Sequence, residues 1–171
     1  KPRIDNGALW LEEDTRAGKI RFVAKDIYLA DIEQDLGGQF DIIILKDVIE
    51  HIHDQPRLIE WMKQFLAEKG VIFFGFPPWQ MPFGGHQQLC RNKWLAKLPY
   101  YHLLPSPLYR AILKKYREPV DGLMEIRETR ISIERFEKII KQKGYTICNK
   151  LHYLINPIYE YKFGWQAKPQ L

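Results

Sequence analysis

Asp26, Asp47, His51 and His86 are the side chains whose types and positions could move a proton or hold a polar ligand. Asp26 closes the segment Lys19-Ile20-Arg21-Phe22-Val23-Ala24-Lys25, and Asp47 follows the apolar run Phe40–Leu45 and Lys46. A carboxylate just past a strand can accept hydrogen bonds from a ribose hydroxyl or an exocyclic amine, and it serves equally well as a helix N-cap or a turn aspartate. His51 follows Glu50, where it either pairs within a helix start or faces a ligand. His86 stands alone in the turn Gly84-Gly85-His86-Gln87, where it is a candidate for binding a substrate or removing its proton. His51, His53 and Asp54 approach a metallohydrolase pattern, but Asp54 directly follows His53 and breaks the spacing, so no metal site is expected. Cys90 and Cys148 have no base beside them in sequence and read as packing residues.

These groups need a scaffold, and hydrophobic periodicity supplies one. Lys19–Ala24 alternates polar and apolar, the period of a half-buried strand. Phe40–Leu45 and Val71–Phe76 are continuous apolar runs, which predict strands buried on both faces as in a parallel sheet. Between them, Asp54 and Pro56 form a helix start, and Leu58, Ile59, Trp61, Met62, Phe65 and Leu66 recur at helical spacing, predicting a helix that runs to Gly70. Strand, helix and strand in so short a span make a parallel βαβ unit, so the class is α/β. A short helix over Ala8–Arg16 precedes it, and Ser132 caps a helix that ends at Gly144. Tyr145–Lys150 and Tyr153–Tyr161 read as two final strands, with Asn156-Pro157 as a bulge or edge feature. Residues 79–130 carry five prolines, at 82, 99, 105, 107 and 119, with many aromatic and basic residues and no long period. They read as an inserted cap of short helices and loops within one domain spanning residues 1–171.

Composition narrows the function classes. With 46% hydrophobic and 13% aromatic residues the chain can bury a core and is not a disordered polymer. No apolar run approaches the roughly 20 residues of a membrane span. Two cysteines build neither a disulfide framework nor a zinc cluster, so a reducing compartment, the cytoplasm by default, is expected.

The segment Phe40-Asp41-Ile42-Ile43-Ile44-Leu45-Lys46-Asp47-Val48-Ile49-Glu50-His51-Ile52 resembles the fourth-strand region of class I S-adenosylmethionine-dependent methyltransferases, where an FDxxxxxDVxEHI pattern is common. The helix that follows, the Glu68-Lys69-Gly70-Val71 turn and the Val71–Phe76 strand are similar to that family in order, and Ile20–Ile27 resembles its third strand. Phe76-Pro77-Pro78 followed by Phe83-Gly84-Gly85-His86-Gln87 resembles a bacterial subgroup with a cap after strand five. The resemblance implies a partial Rossmann-like sheet with strands equivalent to three, four, five, six and seven. It implies S-adenosyl-L-methionine as cofactor, with S-adenosylhomocysteine as product. Asp26 and Ile27 would meet the adenine, Lys46 and Asp47 the methionine end, and His51 the cleft. His86 would act on the acceptor, and Pro78, Trp79, Phe83 and Gln87 would line its site. The family's glycine-rich turn after strand one has no counterpart here, and Gly37-Gly38 precedes a strand instead of opening a helix. The expectation is therefore a chain that begins after strand two, a fragment of a complete catalytic domain. Its open sheet edges would lead to direct pairing of strands three and four or to pairing with a second copy.

Two further readings compete with a small-molecule or glycan methyltransferase. Arg91, Lys93, Lys97, Arg110, Lys114, Lys115 and Arg117, interleaved with Trp94 and several tyrosines, could track an anionic polymer such as a nucleic acid. They could also steer an anionic acceptor, or simply form a solvated basic face. The absent glycine turn also fits a methyltransferase-like domain that retains only an interaction role. Trp79, Phe83, Trp94, Tyr100, Tyr101 and Tyr109 could line an acceptor pocket, or pack the cap.

Overall fold

The computed structural model describes residues 11–155 together with 160, 164, 166, 168 and 169. Its centre is a parallel pair, β1 (Phe40–Lys46) and β2 (Leu66–Gly75), in register from Ile42 opposite Val71 to Lys46 opposite Gly75. The crossover between them is α2 (Gln55–Trp61), whose N-cap Asp54 accepts from the Arg57 backbone N–H at 3.0 Å, with Pro56 in the first turn. The helix does not run to Gly70. It gives way to a 3₁₀ turn at Met62–Phe65, and the strand begins at Leu66, which lies opposite Phe40. Gly70 marks an irregularity inside this long strand instead of a helix end. A Cβ there would lie 2.8 Å from both the Phe40 carbonyl oxygen and Leu66 Cδ1, a close approach that only glycine permits without a shift.

The α2 stripe of Leu58 and Ile59, continued by Met62 and Phe65, is buried against Leu45, Ile49 and Ile131. α6 (Ile133–Gln142), capped by Ser132 accepting from the Arg135 N–H at 3.1 Å, adds Ile139 and Ile140 to the same core. Phe136 on α6 meets Phe74 edge-on and Phe76 at a tilt, with ring centroids 5.0 and 4.9 Å away. All of this covers one face of the sheet. The strands are not buried on both faces: Ile42, Ile44, Val71 and Phe73 point the other way, and Ile44 is 67% exposed. An apolar run carries no mark of how many of its faces find a partner.

The five-strand Rossmann-like sheet is not formed among the described residues. Lys19–Ala24 has β-type alternation but no ladder, because no neighbouring strand lies beside it; it does not pair directly with β1. Arg21 instead donates to the Asp35 carbonyl at 2.6 Å, and Lys25 pairs with the Asp35 carboxylate. Asp35 belongs to a π-helical turn, Ile32–Leu36, capped by Asp31. Tyr145–Lys150 is likewise not a strand, and Tyr145 Oη donates to the Ile59 carbonyl at 3.0 Å. β3 (Tyr153–Ile155) pairs antiparallel with β4 (Lys168–Pro169) in a separate sheet, and Asn156-Pro157 lies outside the described residues. The first helix, α1, spans Glu12–Arg16, and the earlier part of the predicted Ala8–Arg16 helix is also outside them.

Between β2 and α6 lie α3 (Lys93–Lys97), α4 (Ser106–Lys115) and α5 (Val120–Thr129), joined by short 3₁₀ turns. They enclose a second apolar cluster that includes Trp79, Tyr101, Tyr109, Leu113 and Leu123. Its interior is also polar. His102 is completely buried, with Nε2 against the Trp79 carbonyl at 2.8 Å and Nδ1 against Gln87 Nε2 at 2.7 Å. Since Gln87 Nε2 can only donate, the imidazole is neutral with its proton on Nε2. No helix among the described residues is long and apolar enough to cross a membrane.

Candidate functional site

In an open α/β sheet, ligands collect beyond the carboxyl ends of the strands. At the end of β1 the chain turns sharply: Asp47 takes φ 54°, in the left-handed region, while its N–H donates to the Gly75 carbonyl at 2.7 Å. This conformation is sparsely populated for a residue with a Cβ and occurs disproportionately where function requires it. The Lys46 ammonium pairs with the Asp47 carboxylate, and both side chains remain exposed. The following turn, Ile49–His51, puts Ile49 and Glu50 inward and leaves the His51 side chain 49% exposed.

The opposite wall comes from the loop after β2. Gly84 and Gly85 let this loop press on its surroundings: a Cβ on Gly84 would lie 2.4 Å from the Trp79 carbonyl oxygen, and one on Gly85 only 2.3 Å from His102 Cβ. The next residue, His86, holds φ 53°, and its ring stacks on His51 with centroids 5.1 Å apart and planes 10° from parallel. Here the fold brings together two histidines 35 positions apart in sequence. Burial lowers the pKa of His86 below its ordinary 6.5, and the neighbouring His51 lowers it further, against a smaller opposing pull from Asp47. His86 is therefore neutral near pH 7 and able to accept a proton. Its Nδ1 is buried without a hydrogen-bond partner.

Glu50 is the member of this cluster that the sequence did not single out. Only 4% exposed, it buries both carboxylate oxygens with no hydrogen-bond partner, and Oε1 lies 3.9 Å from His51 Nε2. Burial pushes its pKa up to about 7, and Asp47 adds to the rise. Glu50, His51 and His86 each offer a donor atom, all within 4.8 Å of one another, so this trio is where a cation would be held. The broken His51-His53-Asp54 spacing gave no sign of it, because Glu50 and His86 complete the set through the fold.

The remaining residues are placed differently. Asp26 caps the turn Ile27–Leu29 by accepting from the Tyr28 N–H at 2.9 Å, and it stays exposed. Ile27 packs on the sheet-side core, and its carbonyl accepts from Trp61 Nε1 at 2.9 Å. Pro78 and Phe83 are half-buried, their carbonyls accepting from the Met81 and His86 N–H groups. Trp79 is buried in the cap, edge-on to His102. Gln87 is completely buried, its amide nitrogen donating to the Pro82 carbonyl at 3.0 Å and to His102. The sheet side and the cap are tied together close by: buried Gln55, at the start of α2, donates to the Ile49 carbonyl at 3.3 Å and to the Thr129 carbonyl at the end of α5.

The family comparison covers both walls of this cleft. A model of the methyltransferase domain matches residues 4–109, which run from before Asp26 through β1, β2 and His86 into α4. No curated protein matches the chain, and no solved structure does. The match spans well over half of the chain and takes in the turn after β1 together with the His86 loop that faces it, and on that ground the chain belongs to the methyltransferase domain family.

Proposed function

We propose that the cleft beyond β1 serves S-adenosylmethionine-dependent methyl transfer, with the half from β1 to α5 presenting an acceptor to the cofactor. The observation that carries this reading is the His51–His86 stack, which sets a neutral, half-buried imidazole from the cap against the turn after β1. The residues present are compatible with part of the cofactor. Asp26 uses one carboxylate oxygen, Oδ1, for its own turn and leaves the other free for an exocyclic amine, with the Ile27 backbone adjacent. Lys46 and Asp47, exposed at the end of β1, suit the zwitterionic amino-acid end. The glycine-rich cradle is not among these residues, so the proposal is that this chain supplies one half of a complete catalytic domain.

The cofactor, when bound, supplies a methyl group activated by a sulfonium sulfur. The protein's own contribution is then alignment, with a base needed only where the acceptor must lose a proton. His86 takes that proton. Its Nδ1 is sealed inside, so Nε2 is the atom that meets the acceptor. His51 holds the His86 ring flat against itself and limits its rotation, while buried Glu50 lies behind His51 as a second titrating group. The acceptor is a small molecule or glycan with a protonated nucleophile; the exposed cations of the cap favour an anionic one.

Calorimetric titration with S-adenosylmethionine and S-adenosylhomocysteine tests the cofactor half of this proposal. Saturable binding weakened by Asp26→Ala supports it, and absence of heat at millimolar ligand removes it for this chain. For the acceptor half, once an acceptor is turned over, His86→Ala should lower kcat by about 100-fold or more, the range of a lost general base. An unchanged kcat would take the base role away from His86.

A further inference from the structure

The cap carries a surface whose charge would suit an anionic acceptor at the cleft but whose exposed apolar side chains the cleft does not explain. Between Leu89 and Arg117 there are seven Lys and Arg and no Asp or Glu. The whole excess of bases in the chain, 26 against 21, therefore sits in this stretch. All seven basic side chains are exposed, and none forms an ion pair among the described residues. The next carboxylate along the chain, Glu118, is only 6% exposed and is directed inward, accepting from the Arg91 and Asn92 N–H groups at 2.7 Å each. It forms no ion pair with the seven cations.

Large apolar side chains stand exposed in the same stretch. Trp94 is 87% exposed, the most of any large apolar side chain described, and Leu89, Leu98, Leu103 and Leu108 accompany it. The helices themselves sort their residues this way. In α3, Leu95 is buried while Trp94 and the flanking Lys93 and Lys97 face outward. In α4, Tyr109 and Leu113 point into the cap, and Leu108, Arg110, Lys114 and Lys115 point out. Burying an indole and several leucines elsewhere would have been favourable, so leaving them in water next to uncompensated cations calls for a partner that takes both.

From this pairing we infer that the stretch from Leu89 to Arg117, through the exposed side chains of α3, α4 and the turns that flank them, docks on an anionic lipid bilayer. Lys and Arg side chains gather at the headgroup phosphates, while Trp94 and the leucines enter the boundary of the acyl region, the arrangement of peripheral interfacial segments. A single-stranded nucleic acid would use the cations and stack on Trp94, but it has no use for exposed leucines. The leucines therefore decide between the two. The inference concerns where the protein works and is independent of methyl transfer.

Flotation of the full chain with phosphatidylcholine vesicles, with and without phosphatidylglycerol, tests it. The wild type should float only with the anionic vesicles, and added salt should weaken the association. The double variant Lys114→Gln/Lys115→Gln should bind about 30-fold more weakly, from about fivefold for each cation near the surface. Trp94→Ala should also weaken binding, and brominated acyl chains should quench wild-type tryptophan fluorescence more than that of Trp94→Ala. These positions are exposed, so folding is expected to survive, and circular dichroism checks it. The idea is overturned if the wild type ignores anionic vesicles, if Trp94→Ala binds and quenches like the wild type, or if a mixed-sequence single-stranded oligonucleotide is bound while vesicles are not.

Discussion

The sheet side and the cap are each organised around a buried cluster, and they are specified in different ways. On the sheet side, Leu45, Ile49, Leu58, Ile59, Phe65 and Ile140 form an interior of hydrocarbon, set by the periodicity of two strands and two helices. In the cap, short helices surround His102, Gln87 and Glu118, and the geometry depends on particular donors meeting particular acceptors. Hydrocarbon packing tolerates volume-conserving change, whereas a buried polar pair loses its worth when one partner goes. The cleft lies at the seam, so its sheet-side wall should be robust and its cap-side wall easily displaced.

The largest single effect should come from the sheet side. Phe65→Ala, at a side chain 1% exposed, is expected to lower unfolding free energy by about 3–5 kcal/mol in urea titration. A loss under about 1 kcal/mol would mean that this cluster is not the central core of the chain.

Gly85→Ala sharpens the contrast. Its new methyl would meet His102 Cβ at 2.3 Å, and the strain should cost roughly 1–3 kcal/mol. More tellingly, it should push His86 off His51, so ligand binding at the cleft should suffer more than Phe65→Ala makes it suffer at equal stability. Equal damage from the two would erase the proposed division of labour.

Acid should act on the cap first. Burial holds the pKa of His102 below its ordinary 6.5, with Arg127 also lowering it against the opposing Trp79 carbonyl. The unfolded chain thus binds this proton more readily than the folded one. The contribution of His102 is complete above pH 6.5 and is lost as pH drops below it. Between pH 7 and pH 5 the urea midpoint carries this loss together with an opposing gain from Glu50, whose pKa burial raises to about 7, and His102→Asn, although less stable throughout, should lack the loss and so decline less, or rise more, than the wild type. A parallel slope would assign the acid sensitivity elsewhere.

Smallest of all should be Ile44→Thr on the open face of β1, within about 0.5 kcal/mol by thermal melting. A loss of several degrees with a change in oligomeric state would show that a second copy covers this face.

The same contrast explains what the sequence made legible. β1, α2, β2 and α6 were readable because apolar spacing alone fixes their type, and Asp54 and Ser132 mark the helix starts by their chemistry. Lys19–Ala24 carries the right alternation but forms no strand, since a ladder is a property of two segments and the sequence shows one. Gly70 read as a helix stop because glycine there is equally the mark of a close approach between strands. His51 and His86 were each visible as candidates, yet their stacking was not, because it depends on how Gly84 and Gly85 seat the loop on Trp79 and His102. Glu50 lay among polar and charged neighbours, Lys46, Asp47, His51, His53 and Asp54, where a carboxylate normally points to water; its place in the EHI pattern marked the position but not its burial.

The lone parallel pair has a consequence for solvent exchange. Asp47 sends its N–H across to Gly75, so by strand alternation the amides of Ile43 and Leu45 point toward β2, and those of Ile42, Ile44 and Lys46 point to the open edge. Deuterium should therefore enter β1 in a comb, every second amide labelling within the dead time and its neighbours surviving until the core opens. Anything that later lies along that edge would be recorded, residue by residue, as the missing teeth filling in.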